Sequence, residues 1–116
     1  MNDVTARDLQ KSDGQWSRAK GFDTFCPVGP LVTDEIDLAA GVELETRLNG
    51  EVKQHAHTRD LIFPIDVLIQ HITAAMTLYP GDLIPTGTPA GVAAMRPGDR
   101  VEVWIEGLGQ LANPVI

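Results

Sequence analysis

The chain has 116 residues and a mass of 12.5 kDa, with 9 basic and 16 acidic side chains, a formal charge of −7 and a pI near 4.7. That balance argues against nucleic acid or an anionic membrane surface as a partner, because both are gripped by clustered Lys and Arg. A single cysteine, Cys26, leaves no internal disulfide and no zinc-binding Cys/His spacing. Residues 1–10 lack the apolar core of a signal peptide, and no apolar run reaches the roughly 18 residues of a membrane span. The expectation is one soluble, cytoplasmic domain over residues 1–116.

In chain order, residues 2–30 show poor hydrophobic periodicity and dense polar chemistry, which predicts a loop-rich segment carrying the functional groups. Residues 42–48 alternate, with Val42, Leu44 and Leu48 on one face and Glu43, Glu45 and Arg47 on the other, the period of a half-buried strand. Asn49-Gly50 supplies the two positive-φ positions of a tight hairpin, so residues 51–54 should return antiparallel. A plain two-residue loop would then put Val52 on the face of Arg47, which calls for a bulge or for cover on both faces.

The main predicted helix begins near Pro64 and carries Ile65, Leu68, Ile69, Ile72 and Met76 at helical spacing, with His71 off the stripe. It should cover a sheet face. Tyr79-Pro80-Gly81-Asp82 and Arg96-Pro97-Gly98-Asp99 share one turn chemistry, Pro preset at the second position and Gly free to take positive φ at the third. Each should launch a strand, over residues 83–86 and 101–106, and Gly107-Leu108-Gly109 should close a last hairpin onto residues 111–116. The fold class expected is mainly β with one main helix.

No nucleophile elbow, phosphate-binding P-loop, HExxH pair or dinucleotide fingerprint is present. Residues 86–91 could offer backbone N–H groups and a Thr hydroxyl to a carboxylate or phosphate oxygen, or be an ordinary Gly-Pro turn after a strand. Residues 2–10 place a carboxylate, a guanidinium and an amide close together, a set able to hold a divalent ion and an anionic substrate, although such a charged cluster is more often a solvated surface. Four other candidates read as structural. His55 and His57 share a strand face but lack a third ligand, and Glu43 and Glu45 form the solvent side of an amphipathic strand. Trp16 and Trp104 are expected to pack or to cap a sheet edge.

Taken together, Asn2-Asp3-Val4-Thr5-Ala6-Arg7-Asp8-Leu9-Gln10, Gln15-Trp16, Ala19-Lys20-Gly21-Phe22-Asp23-Thr24-Phe25-Cys26-Pro27, Leu48-Asn49-Gly50-Glu51, Thr86-Gly87-Thr88-Pro89-Ala90-Gly91 and Pro97-Gly98-Asp99 closely resemble the fumarylacetoacetate hydrolase family. The resemblance runs over essentially the whole chain, and among members it is strongest to 2-hydroxyhepta-2,4-diene-1,7-dioate isomerases and acylpyruvate hydrolases. It implies a mixed β-roll or sandwich, a homodimer or higher oligomer, and a Mg²⁺ or Mn²⁺ ion held by three carboxylates. By motif, Asp3 corresponds to one metal ligand, Lys20 to the catalytic lysine beside the metal, and Arg7, Gln10 and Thr88 to substrate-binding groups. The implied substrate is a keto acid, an acylpyruvate or a hydroxydienedioate of aromatic-compound breakdown. Hydrolysis, decarboxylation and tautomerisation of these all pass through an enolate that a Lewis acid and a nearby ammonium stabilise.

The family's other two metal carboxylates, a Glu-x-Glu pair, and its His/Glu dyad precede the position of Asp3 and have no counterpart in this chain. The expectation is therefore an incomplete domain, the C-terminal portion of the catalytic unit, with exposed sheet edges that invite self-association. An inactive, partner-binding β fragment is the rival reading, and a small-anion module on residues 86–91 a third. Pro85 departs from the aliphatic residue usual before Thr-Gly-Thr and removes a ladder donor there.

Overall fold

The computed structural model describes residues 1–37 and 39–116. Its frame is a four-stranded antiparallel sheet in the order β2-β1-β3-β4, formed by β1 (Glu43–Leu48), β2 (Glu51–His57), β3 (Arg100–Ile105) and β4 (Gly109–Pro114). Asn49 at φ 53° and Gly50 at φ 83° make the tight turn between β1 and β2. Asn49 also ties that turn to the neighbouring strand. Its side chain donates to Asp99 and accepts from the Arg100 N–H, each at 2.8 Å.

The register carries a bulge, but one position beyond the one that would have moved Val52, which stays opposite Arg47 and is 45% exposed. Pairing passes from Arg47 opposite Val52 to Thr46 opposite Gln54, which leaves Lys53 without a partner in the ladder. One residue changes which face every later side chain takes. With the bulge, Ala56 joins Leu44 on the apolar face, while His55 and His57 stand opposite Glu45 and Glu43 on the polar face. Without it the two histidines would point into the core side.

Leu44, Thr46 and Leu48 of β1 face Ile105, Val103 and Val101 of β3, and Leu111 of β4 extends the same face. Met1, Val28, Pro30 and Leu31 of the N-terminal segment lie against that apolar surface. Among the described residues the buried ones are Ala19, Val101 and Val103.

Both Pro-Gly-Asp turns form as expected, with Gly81 at φ 98° and Gly98 at φ 96°. In each, the Asp side chain reaches back to the first residue: Tyr79 N–H donates to Asp82 at 2.8 Å and Arg96 N–H to Asp99 at 2.7 Å. The second turn launches β3. The first launches nothing, because among the described residues no strand covers residues 83–86. A short apolar stretch holds strand geometry only when a neighbour accepts its ladder, and Pro85 has no N–H to contribute.

Two further expectations change. Residues 2–30 are not all loop: they contain α1 (Arg7–Ser12) and α2 (Ser17–Lys20). Both are too short for an amphipathic stripe to show. The main helix, α3 (Ile65–Thr73), starts after Pro64 and presents His71 to solvent as expected, yet it does not close over the sheet. It buries no residue, and Val67, Ile69 and the following Met76 are 40%, 41% and 61% exposed.

The whole molecule is correspondingly open. It exposes 8461 Å², where a closed monomer of this mass exposes about 6,200 Å². Its radius of gyration is 15.0 Å, against about 13.4 Å for a compact chain of this length. Among the described residues no helix is long and apolar enough to cross a membrane.

Candidate functional site

Two backbone hydrogen bonds assemble the polar cluster. Ala6 N–H donates to the Ala19 carbonyl at 2.9 Å, and Asn2 N–H to the Pro27 carbonyl at 3.1 Å. They lay the segment before α1 along α2, and Ala19, fully buried, is small enough to allow the approach. The Lys20 ammonium then lies 2.5 Å from Asp3 Oδ2 and donates to Thr5 Oγ1 at 3.2 Å. Thr5 Oγ1 in turn donates to the Asp3 carbonyl at 3.1 Å. Asp3 and Lys20 are each 31% exposed, so the pair is partly shielded and still reachable.

Arg7 and Gln10 stand three residues apart on α1 and therefore share a face. Arg7 Nη1 donates to Gln10 Oε1 at 2.5 Å, which leaves most of the guanidinium's N–H donors available to an anion. Between α1 and α2, Arg18 clasps Asp13 through two parallel bonds of 2.8 and 2.7 Å. That bond to Arg18 holds the Asp13 carboxyl below the usual carboxylate range. An open depression of about 420 Å³ is lined by Gly14, Gln15, Trp16, Ser17 and Lys20, and not by Asp3, Thr5, Arg7 or Gln10. Trp16 is 58% exposed at its rim rather than packed.

Thr88 lies in a separate loop, after the first Pro-Gly-Asp turn of the chain. It is exposed, and its loop is held against β2, with Gln54 Nε2 donating to the Pro89 carbonyl at 2.7 Å. Among the described residues no hydrogen bond joins Thr88 to Asp3, Arg7, Gln10 or Lys20. The structure thus brings Asp3 to Lys20 and Arg7 to Gln10, and among the described residues joins Thr88 to neither pair by a hydrogen bond.

The decoy residues have structural partners. His57 Nδ1 accepts the Arg59 N–H at 3.0 Å and its own N–H donates to Asp60 at 2.9 Å, capping a short 3₁₀ turn over Thr58–Asp60. His55 lies 3.5 Å from Glu43, and Glu45 pairs with Arg47. Thr5 and Ala19 escaped the sequence reading. Thr5-Ala6-Arg7-Asp8 has the form of a helix capping box, but the Thr5 hydroxyl is spent on Lys20 and Asp3, and Ala6 caps α1 without a side-chain bond.

A divalent cation needs several hard oxygen donors. Here one carboxylate, Asp3, stands at the cluster, and its Oδ2 already meets an ammonium. Among the described residues no group of three or more His, Cys, Asp or Glu side chains could hold a metal. These residues alone do not fit a metal centre.

Residues 1–116 match the fumarylacetoacetate (FAA) hydrolase C-terminal family from end to end. The chain belongs to that family. The sheet and few helices described above are the mainly β fold of that C-terminal domain. It superposes with a TM-score of 0.94 on the 2-hydroxyhepta-2,4-diene-1,7-dioate isomerase of Mycobacterium marinum, at 58% identity over 98% of this chain and 45% of that one. The 5-carboxymethyl-2-hydroxymuconate delta-isomerase of Mycobacterium smegmatis gives the same TM-score of 0.94 at 51% identity, over 98% of this chain and 45% of that one. The oxaloacetate tautomerase YisK of Bacillus subtilis is 40% identical over 99% of this chain and 41% of its own length. The chain therefore spans less than half the length of these relatives. Members of the family thus include isomerases and tautomerases.

Proposed function

We propose that this chain carries part of the active site of an enzyme that forms an enolate from a keto acid, an acylpyruvate or a hydroxydienedioate of aromatic-compound breakdown. The observation that supports the reading is the partly shielded Lys20 ammonium, held by both Asp3 and Thr5. When a base takes the C–H proton from the carbon next to a ketone, the electron pair moves onto the carbonyl oxygen, and a fixed ammonium beside that oxygen lowers the barrier. Lys20 is the group for that role. Asp3 and Thr5 hold its long side chain in one place, so little reorganisation is needed as charge develops. Arg7, steadied by Gln10, grips the substrate carboxylate, and Thr88 contributes a hydroxyl from its own loop. The isomerases and the tautomerase among the relatives favour tautomerisation as the reaction. Participation of Mg²⁺ or Mn²⁺, with Asp3 as one donor, would require oxygen ligands beyond those of the residues described.

The test is a calorimetric titration of the 116-residue chain with oxalate, a dianion shaped like a keto-acid enolate, with and without Mg²⁺. Binding at one site is expected, weakened about ten- to a hundredfold in Lys20→Met and in Arg7→Met, the loss typical of a charge-assisted hydrogen bond. Unchanged affinity in both variants would falsify the site assignment.

A second reading, a partner-binding β domain without activity, draws on the excess of exposed surface. It predicts no oxalate signal together with concentration-dependent assembly in sedimentation. A homodimer or larger oligomer fits either reading, because the open face of α3 is apolar.

A further inference from the structure

Among the described residues, the loop that carries Thr88 meets the sheet at the bulge of β2. Gln54, the residue after the bulged Lys53, turns toward the apolar face opposite Thr46 and is partly buried there. Its Nε2 donates to the Pro89 carbonyl at 2.7 Å. Two residues further on, Gly91 at φ 100° comes so close to the bulge that a Cβ built on it would lie 1.8 Å from the Lys53 carbonyl oxygen. Thr88 sits just before these two anchors. The proline after it already restricts its backbone to extended conformations, and the bond to the Pro89 carbonyl fixes the peptide unit on its other side.

We infer that Gln54 is a positioning residue for Thr88, acting through the Pro89 carbonyl, and that the bulge in β2 exists to aim it. The bulge moves Gln54 from the face of Glu45 to the face of Thr46, and only from there does its amide meet the loop. The inference rests on the reading of Thr88 as a substrate-binding group.

The test combines Gln54→Ala, Thr88→Ala and the double variant, read by oxalate titration and by amide hydrogen exchange over residues 87–91 in the 116-residue chain. Loss of one hydrogen bond to a loop should weaken oxalate binding about three- to tenfold and speed exchange in 87–91 by a similar factor, with the sheet amides unchanged. In the Thr88→Ala background, Gln54→Ala should cost less than about twofold, since a group that acts through Thr88 has nothing left to act on. Additive losses, or exchange in 87–91 equal to wild type, would overturn the inference. If the wild-type chain takes up no oxalate, the reading of the site fails, and the exchange rates still decide: faster exchange in Gln54→Ala supports Gln54 as the holder of the loop, and unchanged exchange rejects it.

Discussion

Lys20 owes its position to neighbours that are weak individually. A surface ion pair contributes little by itself, but the Lys20 side chain meets both a carboxylate and a hydroxyl, and its backbone is pinned through Ala19. Two carboxylates away from this cluster carry a pH signature. The Asp99 carboxyl is held below its usual range by the Asn49 side-chain bond first and by the Arg96 N–H second, and Asp13 by Arg18. A carboxyl whose folded pKa lies below its unfolded one contributes stability above the unfolded value and loses it as pH falls through the folded one. The gap in thermal midpoint between wild type and Asp99→Ala should therefore be full at neutral pH and shrink below about pH 4. A gap that stays constant down to pH 2.5 or so would show that the bonds to Asn49 and Arg96 do not depend on the charge.

At the scale of elements, the β1–β2 hairpin and its bulge organise the most. Asn49 supports it through a left-handed backbone and two side-chain bonds to the start of β3. Asn49→Ala should cost about 1–3 kcal/mol in urea unfolding, from the lost bonds and the strained φ. The docking of the Thr88 loop is tested by comparing two glycines with nearly the same φ, Gly91 at 100° and Gly81 at 98°. A Cβ at Gly81 meets nothing within 4 Å, whereas at Gly91 it meets the Lys53 backbone. Alanine at either pays for positive φ, and only at Gly91 is there a clash in addition. The urea midpoint of Gly91→Ala should fall clearly below that of Gly81→Ala, and equal midpoints would mean the loop does not rest on the bulge. The hairpin was legible because Asn-Gly and strict alternation are local signals. The place of the bulge was not legible: it falls at Lys53, after Val52, so Val52 stays on the face of Arg47 as a plain two-residue loop would set it.

For the molecule as a whole, surface area is the dominant fact. An excess of about 2,300 Å² over a closed monomer is of the order of a substantial protein interface. It includes Ile62 at 90%, Phe63 at 58% and Tyr79 at 69% exposure, in the segments that flank α3 in the chain. Such a surface binds apolar dyes and associates. The chain should enhance the fluorescence of an anilinonaphthalene dye at neutral pH and sediment faster as concentration rises, and Ile69→Glu should reduce both. A dye-silent, strictly monomeric chain would show that this surface is covered in some way the fold does not reveal. The same openness explains why residues 83–86 failed as a strand and α3 failed to cover the sheet. Each expectation assumed a neighbour, and a pattern in the sequence announces an apolar face without saying what will bury it.

Local chemistry alone determined the two Pro-Gly-Asp turns, the Asn-Gly hairpin, the alternating faces of β1 and β3, and the helix after Pro64, because each depends on φ preferences or periodicity within a few residues. The likeness to the family rests on the order of its motifs and was readable in the same way. Only the tertiary structure decided that the Lys20 ammonium meets Asp3 seventeen positions away, that the Thr5 hydroxyl serves the lysine and not a helix cap, and that Gln54 holds the loop of Thr88. Those are contacts between segments distant in the chain. They depend on the path of the backbone between them, which no short window of residues encodes.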